Sequence, residues 1–280
     1  MSTTVTGERR LRVSAISYLN TVPLMYGFRH APTHEEWAQR FEVHYTLPSQ
    51  CAEELRAGTS DIGIIPVAAY ASIPGLRIIP DVAIAAKHPV RSILLVSKVP
   101  LRGVRSVAAD TSSRTSVALM KVLFERRFGA RPEYVPEPPD VKQMLSRHDA
   151  ALLIGDPALR IDPATCGHTC YDLAAEWQGM TGCPFVFAFW AVRQYAVELA
   201  REYRASDAFL RSRELGTSHV DQIVREEARR YGVSAELARK YLSYHIDYTL
   251  DEANITGLQL FFRYAAECGA LPSAPELAFI

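Results

Sequence analysis

Ser17-Tyr18-Leu19-Asn20-Thr21-Val22-Pro23-Leu24 is the stretch on which the reading of this chain turns. The run before it, residues 11–16, is apolar or small apart from Arg12, as a strand in a covered sheet is, and the polar Ser17, Asn20 and Thr21 arrive together where that run ends. Pro23 suits a first helical turn, where its missing N–H costs nothing, so a strand end passes here into a helix start. Free amides and short side chains beside a positive helix terminus favour an anion, often a carboxylate. Simple capping by Asn20 or Thr21 accounts for the same residues, so the rest of the chain has to decide.

The bulk numbers narrow the choice. A chain of 280 residues with 48% hydrophobic content is long enough for two lobes with sizeable cores. Lys plus Arg equals Asp plus Glu at 31 each, so no overall field recruits nucleic acid or an anionic membrane. No apolar run approaches the about 20 residues of a membrane span, and residues 185–192 suit a buried strand instead. Residues 1–10 are polar and lack the apolar core of a signal peptide, from which a cytoplasmic setting is expected. Five cysteines scattered at 51, 166, 170, 183 and 268 suggest reduced thiols. Cys166 and Cys170 have no second ligand pair at a suitable spacing, so no metal site is expected.

Further along, residues 41–47 alternate as a strand does, Ser49 is placed to cap a helix over 50–56, and residues 61–67 read as the next buried strand. This is a βαβαβ run, in which strand-to-helix junctions gather at the carboxyl edge where α/β proteins bind ligands. Residues 78–81 and 82–86 read as two short extended pieces, and 88–92, ending in Ser92, as a first crossing between lobes. A strand over 93–97 follows. A second lobe then opens with a strand over 104–109, followed by a hydroxyl-rich turn that includes Ser112, Ser113 and Thr115 and by a helix over about 116–128. The side chains of residues 110–116 are all polar, more than one N-cap requires, which makes this turn a second carboxylate cradle. Residues 133–139 read as a proline-rich connection with Asp140 capping the helix after it. The strand over 150–154 ends in Gly155-Asp156-Pro157, where Asp156 either faces the cleft or caps 157–160. Residues 185–192 return to the first lobe, and helices over 198–215, stopped near Gly216, over 218–231, over 235–244, capped by Ser234, and over 254–268, capped by Asp251, cover it without readable chemistry.

The ordered set of SYLNTVPL at 17–24, DIGIIPV at 61–67, PVRS at 89–92, the polar cluster at 110–116, LLIGD at 152–156 and TGCPFVFAFW at 181–190 resembles the menaquinone-biosynthesis family whose best-known members are the chorismate dehydratases of the futalosine route. The resemblance spans nearly the whole chain. It implies an α/β, two-lobed fold similar to type II periplasmic binding proteins, with lobe one over 1–90 and 191–280, lobe two over 91–190, and two crossings between them. It also implies dehydration of chorismate, a small dicarboxylate, to 3-enolpyruvylbenzoate without metal or organic cofactor. Asn20 and Ser17 are then the expected catalytic groups, and Tyr18, Thr21, Ser49, Ser92, Ser112, Ser113, Thr115 and Asp156 the expected substrate contacts. Cys183 stands where the family's motif has an aliphatic residue, a mild departure because free cysteine packs as a small hydrophobe. No general base is evident, and the substrate's own enolpyruvyl carboxylate stays open for that role. Two alternatives use the same cleft: the sibling enzyme that makes 1,4-dihydroxy-6-naphthoate, and a carboxylate-binding protein that turns nothing over.

Overall fold

Two five-stranded sheets carry the chain in a computed structural model that describes residues 9–110 and 114–280. In chain order the strands are β1 (Leu11–Ile16), β2 (Phe41–Thr46), β3 (Ile62–Pro66), β4 (Leu76–Ala86), β5 (Ile93–Ser97), β6 (Ser106–Asp110), β7 (Glu133–Glu137), β8 (Ala150–Ile154), β9 (Thr169–Asp172) and β10 (Phe185–Arg193). The first sheet runs β2-β1-β3-β10-β4 and the second β7-β6-β8-β5-β9. β1 is parallel to β2 and β3, and β6 to β7 and β8, while β10 and β5 run antiparallel to their neighbours. The apolar runs read as covered strands are covered: every residue of β3, β5 and β8 is buried. The core adds Trp177, Trp190, Phe185, Phe189, Phe209, Phe261 and Phe262, all nearly inaccessible.

The chain passes between the sheets twice, between β4 and β5 and between β9 and β10. Sheet membership puts the second passage between Asp172 and Phe185, ahead of the expected boundary at 190, because residues from Phe185 onward already pair with β4. One carboxylate ties the two passages together. Asp172 accepts hydrogen bonds from Val90 N (3.1 Å) and Arg91 N (2.6 Å) on the first, and from Ala174 N (3.0 Å) and Ala175 N (3.2 Å) at the start of the helix Leu173–Thr181 on the second. Burial pushes its carboxyl upward while these amides pull it down. Gln178 Nε2 donates to Lys87 O (2.7 Å), a second tie at the same place.

Several expected elements differ, each for a local reason. Residues 76–86 form one strand; Asp81, at φ 66°, kinks it, and its register against β10 shifts. The proline-rich stretch includes the edge strand β7, where a proline is tolerated because its outer side needs no donor. The helix Pro48–Ala57 starts from Leu47, whose N–H is met by Gln50 Oε1 (3.4 Å), so Ser49 lies inside the first turn and is not its cap. The helix expected over 198–215 is broken at Arg204, which sits in the left-handed region. Gly216 stops nothing: it lies within Ala205–Ser218, where an added Cβ would fall 1.9 Å from Pro23 O, so its absence lets that helix pack on the first lip. The helix over 235–244 is Ala235–Lys240, continued by a single π turn, Tyr241–His245. Asp140, Ser234 and Asp251 cap as read. Among the described residues no helix is long and apolar enough to cross a membrane.

Candidate active site

A cleft with about 500 Å³ of empty space, its mouth included, lies where the two sheets face each other. The carboxyl ends of β1, β3 and β8 reach it as Ile16, Pro66 and Ile154, the start of β5 as Ile93, and the first residue of the helix after β2 as Pro48. Its walls are mostly apolar, and the polar side chains lining it are Tyr18, Asn20, Ser92 and Ser116. Among the described residues none that lines it is charged, so an anion here meets neutral donors.

Asn20 sits in a 3-10 turn, Leu19–Thr21, and Thr21 Oγ1 donates to its amide oxygen (3.4 Å). Thr21, expected as a substrate contact, is itself buried and outside the lining, where it braces Asn20. The Ser17 hydroxyl donates to Thr46 O (3.3 Å), as its backbone N–H does (3.0 Å), which turns it toward the end of β2 and out of the lining. Period-two alternation leaves Ile16 facing the cleft in its place. Tyr18 crosses to the other lobe and lies on Gly155. That glycine has φ 59°, and a Cβ on it would fall 2.8 Å from Tyr18 Cε2, so the Gly of LLIGD answers both to backbone conformation and to close approach.

Ser92 is buried at the end of the first passage; its carbonyl accepts from Gly155 N (2.8 Å) and its hydroxyl accepts from Tyr241 Oη (2.9 Å). Of the second turn, Ser112 and Ser113 lie outside the described residues. Thr115 is fully buried and its hydroxyl accepts from Ala68 N (3.0 Å), so it clasps the first lobe, and Ser116 is the residue that lines the cleft. Pro48 takes the lining position expected of Ser49. Asp156 stands behind the lining, where its Oδ1 accepts from Leu19 N (3.3 Å) across the lobes and burial pushes its carboxyl up to about 6. The motif reading thus left out Ser116, the last residue of its polar cluster, and Tyr241, in a helix that looked like simple covering.

Outside the cleft, no group of three or more His, Cys, Asp or Glu side chains among the described residues is arranged to hold a metal ion. Cys166 and Cys170 touch each other as free thiols, Sγ to Sγ 3.2 Å.

Comparison with known proteins agrees with this architecture. The chain is 31% identical over 276 residues, 92% of its length and 94% of the relative's, to a chorismate dehydratase of Thermus thermophilus. It is 29% identical over 176 residues, 62% of its length and 63% of the relative's, to one of Campylobacter jejuni. A crystal structure of an Archaeoglobus fulgidus protein superposes with a TM-score of 0.75 at 22% identity, over 94% of this chain and 98% of that one. The periplasmic aliphatic sulphonate-binding protein of Escherichia coli gives 0.67 at 17%, over 96% and 95%, so the fold is that of periplasmic binding proteins. A model of the family described as menaquinone biosynthesis matches residues 11–267, and with nearly the whole chain inside that match, this protein belongs to the menaquinone-biosynthesis family.

Proposed function

We propose that the chain is a hydro-lyase that dehydrates chorismate to 3-enolpyruvylbenzoate in menaquinone biosynthesis. The observation that carries this reading is the cleft itself: neutral donors from both lobes, Tyr18 and Asn20 on one and Ser92 and Ser116 on the other, set in apolar walls. Chorismate has a carboxylate on its ring and another on its enolpyruvyl arm, and donors on facing lobes suit a flat dicarboxylate. The reaction removes the ring hydrogen beside the ether and the neighbouring hydroxyl, together one water. Breaking that C–H bond sends its electron pair through the ring diene toward the ring carboxylate, and the hydroxyl then leaves as the ring becomes aromatic.

Asn20 is the proposed central group. An amide is no base, but its N–H stabilises charge developing on the dienolate without having to reorient, because Thr21 already holds the amide oxygen. The apolar walls strengthen such a bond by excluding water. Among the described residues the lining includes no carboxylate or imidazole, which supports the substrate's own enolpyruvyl carboxylate as the base. Ser92 and Ser116 contact the carboxylates in this reading, and the proposal that Ser112 and Ser113 contribute rests on the sequence pattern. Incubating purified protein with chorismate tests the whole: an aromatic product one water lighter is expected. Binding without turnover would leave a solute-binding protein in its place.

A further inference from the structure

The Tyr241 phenol is fully buried, and its hydroxyl donates to Ser92 Oγ at 2.9 Å. Ser92 lines the cleft, whereas Tyr241 is absent from the lining and meets Ser92 from behind it. The polarity of this small network matters. A hydroxyl donates one proton, so if Tyr241 donates to Ser92 Oγ, the Ser92 proton is left to be given elsewhere, and the open side is the cleft. Each bond of such a chain polarises the next, so accepting from Tyr241 strengthens the Ser92 hydroxyl as a donor. Burial holds the phenol well above its ordinary range, so it stays protonated and remains a donor throughout the working pH range. The residue also opens the single π turn Tyr241–His245 that ends the helix Ala235–Lys240, a local irregularity of the kind often found near functional sites.

We propose that Tyr241 is a positioning residue for the dehydration, fixing the Ser92 hydroxyl as a donor into the cleft. The proposal rests on the dehydratase reading. It assigns the return segment a part in the chemistry, although Tyr241 itself touches neither substrate nor reacting atoms.

Tyr248 supplies an internal control. It is another buried tyrosine of the same segment, and its hydroxyl has no hydrogen-bond partner among the described residues. Tyr241→Phe keeps the buried ring and removes only the hydroxyl. Its kcat for chorismate is expected to fall about tenfold, the scale of one hydrogen bond, with KM and melting temperature little changed. Tyr248→Phe is expected to leave kcat unchanged. Because Tyr241 acts through Ser92, adding Tyr241→Phe to Ser92→Ala is expected to cost little beyond Ser92→Ala alone. Wild-type kcat in Tyr241→Phe, an equal loss in Tyr248→Phe, or a double variant whose loss is the product of the two single losses would each overturn the positioning role. Wild-type protein inert toward chorismate removes the dehydratase reading first, whereas active wild type beside an equally fast Tyr241→Phe removes this proposal alone.

Discussion

The first lip, residues 17–21, and the second turn, 114–116 of the described residues, are both polar strand-to-helix junctions, yet they divide their work differently. In the first, Tyr18 and Asn20 face the cleft while Ser17 and Thr21 bond inward to Thr46 O and to Asn20. In the second, Thr115 reaches across to Ala68 N and its neighbour Ser116 faces the cleft. One lip braces itself; the other braces its partner. Within a few residues of identical chemical type, orientation decides which side chain supports and which presents, and the substitutions below set the two kinds against each other.

Asn20→Ser should have the largest effect. Serine still starts a turn but withdraws the longer amide, so single-turnover rate at saturating chorismate is expected to drop by about a hundredfold, the scale of one lost donor to developing charge, while the melting temperature changes little. A surviving rate with a falling melting temperature would make Asn20 a brace like Thr21. Gly155→Ala attacks the contact between the lips: with φ 59° and Tyr18 in the way, it is expected to destabilise by about 1–3 kcal/mol in denaturant unfolding and to displace Tyr18. A variant as stable and as active as wild type would mean that the ring does not rest there.

The second turn is sharpened by paired variants. Thr115→Val strands the Ala68 N–H and is expected to cost about 1–2 kcal/mol of stability, whereas Ser116→Ala is expected to weaken chorismate binding by about tenfold with stability nearly intact. The reverse pattern would exchange their roles. The smallest effect concerns the clasp at Asp156. Burial raises its carboxyl from 3.8 to about 6, so the folded state holds the proton more tightly than the unfolded one. Stability from this group is complete below about pH 4 and is lost as pH rises toward 6 and beyond it. Asp156→Asn keeps an oxygen for Leu19 N and is expected to flatten that part of the stability–pH curve; an unchanged slope between pH 4 and 6 would show that another group sets it.

The strands that position the cleft were readable because fully covered strands are nearly continuous apolar runs: β1, β3, β5, β8 and β10 stand out without any partner in view. The caps at Asp140, Ser234 and Asp251 were equally local signals. Facing was another matter. Whether Thr115 or Ser116 reaches the cleft depends on the phase of a helix start relative to a lobe that another part of the chain builds. Tyr241 meets Ser92 across 149 residues, and nothing near it in sequence sets it apart from the other tyrosines of a covering helix. Gly216 carried the ordinary signal of a helix end and proved to be a point of close packing, since a small residue serves both purposes.

Because a single carboxylate, Asp172, accepts hydrogen bonds from the amides of both passages between the sheets, the two stretches of chain that join the lobes are pinned to each other at Val90, Arg91 and the start of the helix Leu173–Thr181. Ser92, the next residue after Arg91, thus meets the cleft beside the point where both connections are tied, and Thr115 with Ala68 N joins the lobes a second time.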